Sequence, residues 1–148
     1  MEGVEGVMQE KLHRVEAVHQ RLTSAELPDA VVIDSLCRLW RQITTELSSI
    51  IGVAGVRALL RRSVLLNKRE HPWLAQIVEV AGEADPVEEL CTALSGQPRD
   101  RAAAGNLVVL RMFHDLLVGL IGEGLTERLL HSALAPPSAG YAAQDPSP

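Results

Sequence analysis

The chain has 148 residues, a formal net charge of −5 and two cysteines, and 47 % of its residues are apolar. This length suits one domain that buries its own core without disulfides or a structural metal. The acidic balance gives no overall attraction to phosphate backbones or anionic lipid, so we expect no nucleic-acid or membrane partner. No apolar run approaches the ~18 residues that span a bilayer, and the first residues lack an apolar leader. We therefore expect a soluble, cytoplasmic protein.

The first predicted element is an amphipathic helix over residues 1–23. Its apolar residues recur at steps of three, four or seven and form one narrow stripe: Val4, Met8, Val15, Val18 and Leu22. So narrow a stripe is typical of a surface through which copies of a chain self-associate. The alternative is that the stripe packs against the protein's own bundle, and the pattern alone does not separate the two.

Two longer predicted helices follow and are separated by Gly52. The first runs over about residues 28–51 and has a wide apolar stripe of Val32, Leu36, Leu39, Trp40, Ile43, Leu47 and Ile50. Gly52 is predicted to end this helix in the left-handed conformation. The second runs over about residues 54–66, with Val56, Leu59, Leu60 and Val64 facing inward.

The second half of the chain is also predicted to be helical. Pro72 suits the first position of a short helix, and Asp85, Pro86 and Glu88 have the spacing of a capping box that opens another, which should stop at Ser95. A long helix over about 101–121 follows, and its inward side is predicted to carry Leu107, Leu110, Phe113, Leu117 and Leu120. A last helix is predicted over 125–134, and the Pro-, Ala- and Ser-rich tail 135–148 is predicted to be disordered. The sequence thus predicts an all-α, single-domain bundle of six or seven helices over residues 1–134.

Residues 47–60, LSSIIGVAGVRALL, have a counterpart in residues 117–130, LVGLIGEGLTERLL. Each copy predicts a helix, a turn enabled by glycine and a second helix, a hairpin that cannot bury its apolar stripe alone. The chance alignment of two Leu-rich helices is the alternative. We expect a duplication whose two hairpins pack as pseudo-symmetric halves of one core. The matched pairs, 70 residues apart, include Leu47/Leu117, Ile51/Ile121, Gly52/Gly122, Leu59/Leu129 and Leu60/Leu130.

No catalytic constellation is recognisable, so we predict no catalytic residue and no cofactor. Cys37 and Cys91 are flanked by aliphatic residues at helical spacing, which predicts two reduced core thiols. The segments IGVAG and IGEG lack the preceding strand and the following Lys and Ser/Thr of a phosphate-binding loop, so we interpret them as helix ends.

His114 lies beside Asp115 within a long predicted helix. This segment resembles the histidine box of histidine-kinase dimerisation helices and phosphotransfer domains, which are helical bundles with a solvent-facing His beside an acid. The resemblance implies a phosphoacceptor at His114. The chain departs from it at residues 117–119, Leu-Val-Gly, where those families place a basic residue and then Pro or Gly.

A small-ligand or metal-binding sensor is a further alternative. His114 and His131 would meet across a hairpin closed at Gly122. The Glu-x-x-His pairs of carboxylate-bridged di-iron bundles are absent from the core helices, so we predict no metal.

Charge is segregated along the chain and indicates a binding surface. Arg57, Arg61, Arg62, Lys68 and Arg69 form a basic block, and Glu79, Glu83, Asp85, Glu88 and Glu89 form an acidic block. Such blocks pair internally, steer a partner or join neighbouring copies, and two ordinary solvated faces are the alternative. An exposed Trp73 beside the basic block would be a binding hot spot. We therefore predict a non-enzymatic adaptor of bacterial-type signalling that self-associates through the narrow stripe and binds a protein partner through Arg57, Arg61, Arg62 and Trp73.

Overall fold

The structure is a computed structural model that describes residues 15–75, 77 and 85–133. About 85 % of these residues are helical and none of them lies in a strand, which confirms the predicted all-α class. The elements in chain order are α1 (15–22), α2 (Asp29–Leu65), a 3₁₀ turn (Pro72–Leu74), α3 (Pro86–Ser95), α4 (Arg99–Ile121) and α5 (Glu123–Ala133). The predicted six or seven helices are not confirmed: the described residues form five helices, one of which, α2, includes residues 53–65 beyond a non-helical Gly52. Val4, Met8 and the tail 135–148 lie outside the described residues.

α2 is the central helix and packs against α3, α4 and α5. At its middle the Trp40 ring meets Phe113 of α4 edge to face, with the ring centroids 5.3 Å apart and the planes at 78°. The Trp40 Nε1–H donates to Asn106 Oδ1 over 2.7 Å, and all three residues are buried. A buried indole N–H needs such an acceptor, so this aromatic junction fixes α2 against α4.

α2 and α4 start at the same end of the bundle. Arg99, in the first turn of α4, donates to main-chain oxygens of the loop before α2, and its Nη1 lies 3.3 Å from Asp29 Oδ1. Further along both helices, Trp40 reaches Asn106. Because residues further along α2 contact residues further along α4, the two helices run parallel. Gly52 and Gly122 therefore lie toward the end of the bundle opposite Asp29 and Arg99.

A proline precedes and a glycine follows both helical segments. Pro28 precedes α2 with ψ 152° and Pro98 precedes α4 with ψ 148°. α4 has 23 residues and residues 29–51 of α2 span the same length; each segment is followed by a glycine, Gly52 at φ 82°, ψ 158° and Gly122 at φ 90°, ψ 161°. This region of positive φ and extended ψ is almost restricted to glycine. The prediction that Gly52 ends the helix in the left-handed conformation is therefore wrong in its ψ angle. The chain also returns to helix at the next residue instead of ending there.

Local capping rules hold at α3. The Asp85 carboxylate accepts from Val87 N–H over 2.9 Å, Pro86 opens the helix and Ser95 is its last residue, all as predicted. The reciprocal half of the predicted capping box does not form. The Glu88 carboxylate turns instead toward α2 and accepts from Arg41 at 3.3 and 3.4 Å.

The predicted stripes are buried except at their ends. In α2 the stripe from Val32 to Leu47 lies in the core, and in α4 Leu110, Phe113 and Leu117 do so. Ile50 and Leu120, both predicted to face inward, are 49 % and 59 % exposed. Each lies two residues before a glycine break, where the two parallel helices reach the end of their shared core.

Gly105 gives a test of the packing on α4. A Cβ at this position would overlap Cζ2 of Trp73 and lie 3.0 Å from its Cη2, whereas a Cβ at Gly119 of the same helix meets nothing within 4 Å. We expect Gly105→Ala to lower the free energy of unfolding by about 1–3 kcal/mol through overpacking. Gly119→Ala should raise it by about 0.5–1 kcal/mol. Denaturant titration measures both, and Trp73→Phe, which removes the overlapping ring atoms, should relieve the Gly105→Ala defect.

The break at Gly122 gives a second test. A Cβ at this position would meet no atom within 4 Å, so a substitution would be unfavourable only because of the positive φ of the backbone. Gly122→Ala should destabilise by about 1–3 kcal/mol, since alanine is strained at this φ and ψ. Gly124→Ala, in the regular helix two residues on with equally open surroundings, should be neutral or slightly stabilising. Equal thermal unfolding midpoints for the two variants would contradict the assigned conformation.

Candidate functional site: a two-cysteine groove and an apolar end

A groove of about 650 Å³ lies between the first half of α2, α3 and the start of α4. Its rim carries both signs of charge within two ion pairs, Arg41 with Glu88 and Arg99 with Asp29, each at 3.3 Å. The lining residues are Asp29, Ala30, Ile33, Asp34, Cys37, Arg41, Glu88, Cys91, Thr92, Ser95, Gln97, Pro98 and Arg99. The concavity is open to solvent rather than enclosed.

Cys37 and Cys91 meet in this groove. Both are buried in the core without a disulfide between them, which confirms that they are core residues, and their reduced state stays a prediction. The interaction between the two thiols lowers the pKa of Cys37, with burial opposing and the Arg41 guanidinium assisting. The same interaction and burial raise the pKa of Cys91.

Sequence reasoning treated the two cysteines as separate core residues and missed this pair. One local signal was available: Arg41 follows Cys37 by four residues and Glu88 precedes Cys91 by three, so each cysteine shares a helix face with a charged residue. The partnership itself depends on the packing of α2 against α3.

The opposite end of the bundle exposes large apolar side chains around the two glycine breaks. Ile50 and Val53 flank the first break, with Val53 50 % exposed, and Leu120 and Leu125 flank the second, with Leu125 37 % exposed. We call these four residues the apolar end. They lie where α2 and α4, running parallel, leave their shared core.

The predicted basic block is only partly a free surface. Arg57 Nη2 lies 3.9 Å from Asp85 Oδ2, so the basic and acidic blocks pair internally at this point. Arg61 is half-buried and Arg62 is exposed. The predicted partner-binding arginines therefore differ in accessibility, although all three follow the glycine break in α2.

Trp73 does not stand on an exposed ridge. Its indole is half-buried, packs on Gly105 of α4 and meets the His71 ring edge to face at 6.4 Å. Its Nε1 is buried and has no partner within the part of the chain that the structure describes. The prediction of an exposed hot spot at Trp73 loses its premise, because the ring face is used inside the fold.

The described part of the narrow N-terminal stripe also faces inward. Val15 belongs to the core, Leu22 packs against it, and Val18 is half-buried. Glu16 of the same helix pairs with Arg111 of α4. This placement favours the alternative in which the stripe packs on the protein's own bundle.

His114 is 2 % exposed, which argues against the phosphoacceptor that the resemblance implied, because phosphotransfer needs an accessible ring nitrogen. Its Nδ1 lies 3.7 Å from Asp115 Oδ1, beyond hydrogen-bond distance. His131 is exposed on α5. Within residues 15–75, 77 and 85–133, no cluster of three or more His, Cys, Asp or Glu side chains is arranged to hold a metal ion.

Length and composition alone would allow α2 and α4 to cross a membrane, since each contains an 18-residue window of mean hydropathy 1.4 and 1.5 respectively. The expectation that no run approaches a spanning length is therefore too strict. A mostly buried core helix of a soluble protein meets the same criterion, but only 22 % and 39 % of these two windows are buried inside the structure. The buried Trp40–Asn106 pair joins the two helices inside the bundle.

No protein-family model matches the chain, and neither does any curated protein or solved structure.

The contact of α1 with α4 gives a pH-dependent test at His19. This ring is buried and its Nε2 has no partner within the described residues; its pKa is lowered to about 4, first by desolvation and then by the charge of Arg111. Between pH 6.5 and 4, His19 is protonated in the unfolded chain but neutral in the folded chain. Protonation therefore favours the unfolded chain, and the free energy of unfolding falls as the pH falls below 6.5.

We expect the free energy of unfolding of the wild type, relative to His19→Gln, to fall between pH 6.5 and 4 with a slope approaching about 1.4 kcal/mol per pH unit. Urea titrations at closely spaced pH values measure this difference. Parallel curves for the two proteins would contradict a buried neutral His19, and His131→Gln, at an exposed position, is the matched control.

Proposed function

We propose that this chain is a non-enzymatic interaction module that self-associates through its apolar end and acts as an adaptor in bacterial-type signalling or regulation. The observation that carries the proposal is the exposure of four large apolar side chains around the two glycine breaks, where the sequence pattern predicted burial for Ile50 and Leu120. Where exposed apolar side chains form one patch, that patch marks an interaction site.

The occupant that we propose for the apolar end is a second copy of the chain. Ile50 and Leu120 are 70 residues apart and precede breaks of the same backbone conformation. A two-fold axis at this end would set Ile50 and Val53 of one copy against Leu120 and Leu125 of the other. Two-fold interfaces are self-complementary in this way, with each contact made twice.

Charged residues flank the same end. Residues 53–65, after the first break, carry Arg57, Arg61 and Arg62, whereas α5, after the second break, carries Glu123 and Glu127. Arg57 pairs with Asp85, and Arg61, Glu123 and Glu127 already have interactions within the structure, so the proposal does not depend on new ion pairs from them. In this proposal Arg62, which is exposed, keeps the partner-binding role predicted for it, and the apolar end replaces the N-terminal stripe.

The duplication is also a proposal, and the burial pattern supports it. Residues 70 apart share the same environment in the core: Val32 and Ala102, Leu36 and Asn106, Ile43 and Phe113, Val56 and Thr126, Leu60 and Leu130. The prolines before both helices and the glycines after them obey the same spacing. Two such halves would present matching apolar residues at the two glycine breaks.

Sedimentation equilibrium over a range of concentrations tests the self-association. The wild type should be a dimer, and Ile50→Asp or Leu120→Asp should raise its dissociation constant at least about tenfold, because each places a charge in the apolar centre. Val31→Asp is the matched control, since Val31 is 43 % exposed near the start of α2, far from the breaks. Circular dichroism confirms that each variant is folded.

A strictly monomeric wild type would overturn the proposal, and so would equal weakening by Val31→Asp. Co-sedimentation of the wild type with anionic vesicles, lost in Leu120→Asp while the protein in solution stays monomeric, would assign the apolar end to a membrane instead.

A small-ligand sensor is a second candidate function, favoured by the volume and mixed charge of the groove. Native mass spectrometry of protein purified directly from lysate tests it. A bound mass that is lost in Ser95→Trp, which would fill the groove from α3, supports this candidate, and a bare chain mass in both proteins contradicts it.

A further inference from the structure

The basic block includes charges that self-association through the apolar end does not use. Residues 47–69 contain five basic residues and no acidic one, in a chain whose net charge is −5. Arg57 pairs with Asp85, and Arg61 also has an interaction within the structure. The remaining three members of the block are exposed and form no ion pair with another described residue: Arg62, Lys68 and Arg69. Their charges are available to a partner outside the chain.

Two exposed leucines lie among these charges. Leu65 is the last residue of α2 and Leu66 follows it, and they are 40 % and 47 % exposed. Backbone hydrogen bonds continue the helical turns here, since Leu66 N–H donates to the Arg62 carbonyl and Lys68 N–H to the Leu65 carbonyl. Residues three and four apart on a helix are neighbours, so Arg62 borders both leucines, and Lys68 and Arg69 follow in the next turn. We call these five residues the basic–apolar patch.

The basic–apolar patch lies on the outer side of its helix and is separate from the apolar end. Ala58, Arg62 and Leu65 follow one another at steps of four and three and are all exposed. The inner side of the same segment is buried in the bundle and consists of Leu59, Leu60, Ser63 and Val64. Val53 of the apolar end precedes Leu65 by 12 residues, which is about 18 Å along the helix.

We propose that the basic–apolar patch is a peripheral binding site for an anionic membrane surface. The two leucine side chains enter the headgroup region, and the guanidinium and ammonium groups around them pair with lipid phosphates. Exposed apolar side chains beside Lys and Arg are the composition of segments that bind at the membrane interface.

Two other anionic partners fit the patch less well. A nucleic acid would use the charges and leave the leucines in water. An acidic helix of a protein partner needs a hydrophobic groove for its apolar face. The groove of about 650 Å³ is lined by the first half of α2, α3 and the start of α4, not by the patch. A lipid surface uses both the charges and the leucines and needs no preformed groove.

The acidic net charge of the chain does not oppose this binding. Screening limits electrostatic interactions to about 8 Å at physiological ionic strength, so a membrane acts on the charges nearest to it. Residues 47–69 carry no acid, and Glu70 is the first acidic residue after them. The expectation of no membrane partner rested on the net charge, and at this patch the local charge replaces it. The acidic remainder of the chain faces away from the lipid, which orients the domain.

Co-sedimentation of the full chain with sucrose-loaded vesicles tests the proposal. The wild type should bind vesicles of phosphatidylcholine that contain about 30 % phosphatidylglycerol and should not bind phosphatidylcholine alone, because basic residues are attracted only to an anionic surface. Raising the salt from about 0.1 M to about 0.5 M should weaken the binding at least about fivefold, since the charges are exposed and screened.

Paired variants locate the binding surface. Arg69→Gln should weaken binding about fivefold, as expected for one basic residue near anionic lipid. Leu66→Ser should weaken it at least about threefold, because less apolar surface enters the membrane. The matched controls are Arg38→Gln, exposed and paired with Asp34, and Val31→Ser, at a residue that is 43 % exposed; both should bind like the wild type. Circular dichroism confirms that each variant is folded.

Three results would overturn the inference: no binding of the wild type to anionic vesicles, equal weakening by the control variants, or undiminished binding of Leu66→Ser. The last result would indicate a purely electrostatic surface for an acidic protein partner. Leu120→Asp, which should dissociate the proposed dimer, leaves the patch intact and should still bind vesicles. Leu66→Ser should keep the oligomeric state of the wild type, so this inference and the proposed self-association succeed or fail separately.

Discussion

The arrangement of the bundle depends on one buried junction, the Trp40 indole that donates to Asn106 and meets the edge of Phe113. Apolar stripes alone would allow α2 and α4 to slide along one another, because hydrophobic contact has no direction. A buried N–H with a single acceptor has one acceptable register, since any slip leaves it unpaired. Asn106 lies 70 residues after Leu36, at a level where α2 has an apolar side chain, so this polar contact is made once and fixes the register of the two parallel helices.

Features governed by local rules were predictable from the sequence, and features governed by packing were not. The stripe of α2 and the Asp85 cap follow from periodicity and capping within a few residues. The exposure of Ile50 and Leu120 depends on where the neighbouring helix stops, and the extended ψ of both glycines depends on how the chain leaves the core. The contact of Cys37 with Cys91 joins helices that are far apart in sequence, so spacing carried no sign of it.

The two candidate sites lie at different ends of α2. The groove uses the first half of this helix together with α3 and the start of α4, whereas the apolar end lies beyond the aromatic junction, around the glycine breaks. A second copy seated on the apolar end would leave the groove open to small molecules. Residues 29–51 of α2 pass through both regions, so a ligand in the groove and a second copy at the apolar end would contact the same helical segment.

The matched span from proline to glycine in α2 and α4 also limits how this sequence can vary in length. An α-helix turns by about 100° per residue, so one residue inserted or deleted between Pro28 and Gly52 would rotate every later side chain of this helical segment away from its present packing partners. A substitution changes one side chain, whereas a change of length moves the whole apolar face that follows it. Relatives of this chain that keep its architecture should therefore have their insertions in the connections between helices and keep the number of residues in each of the two helical segments.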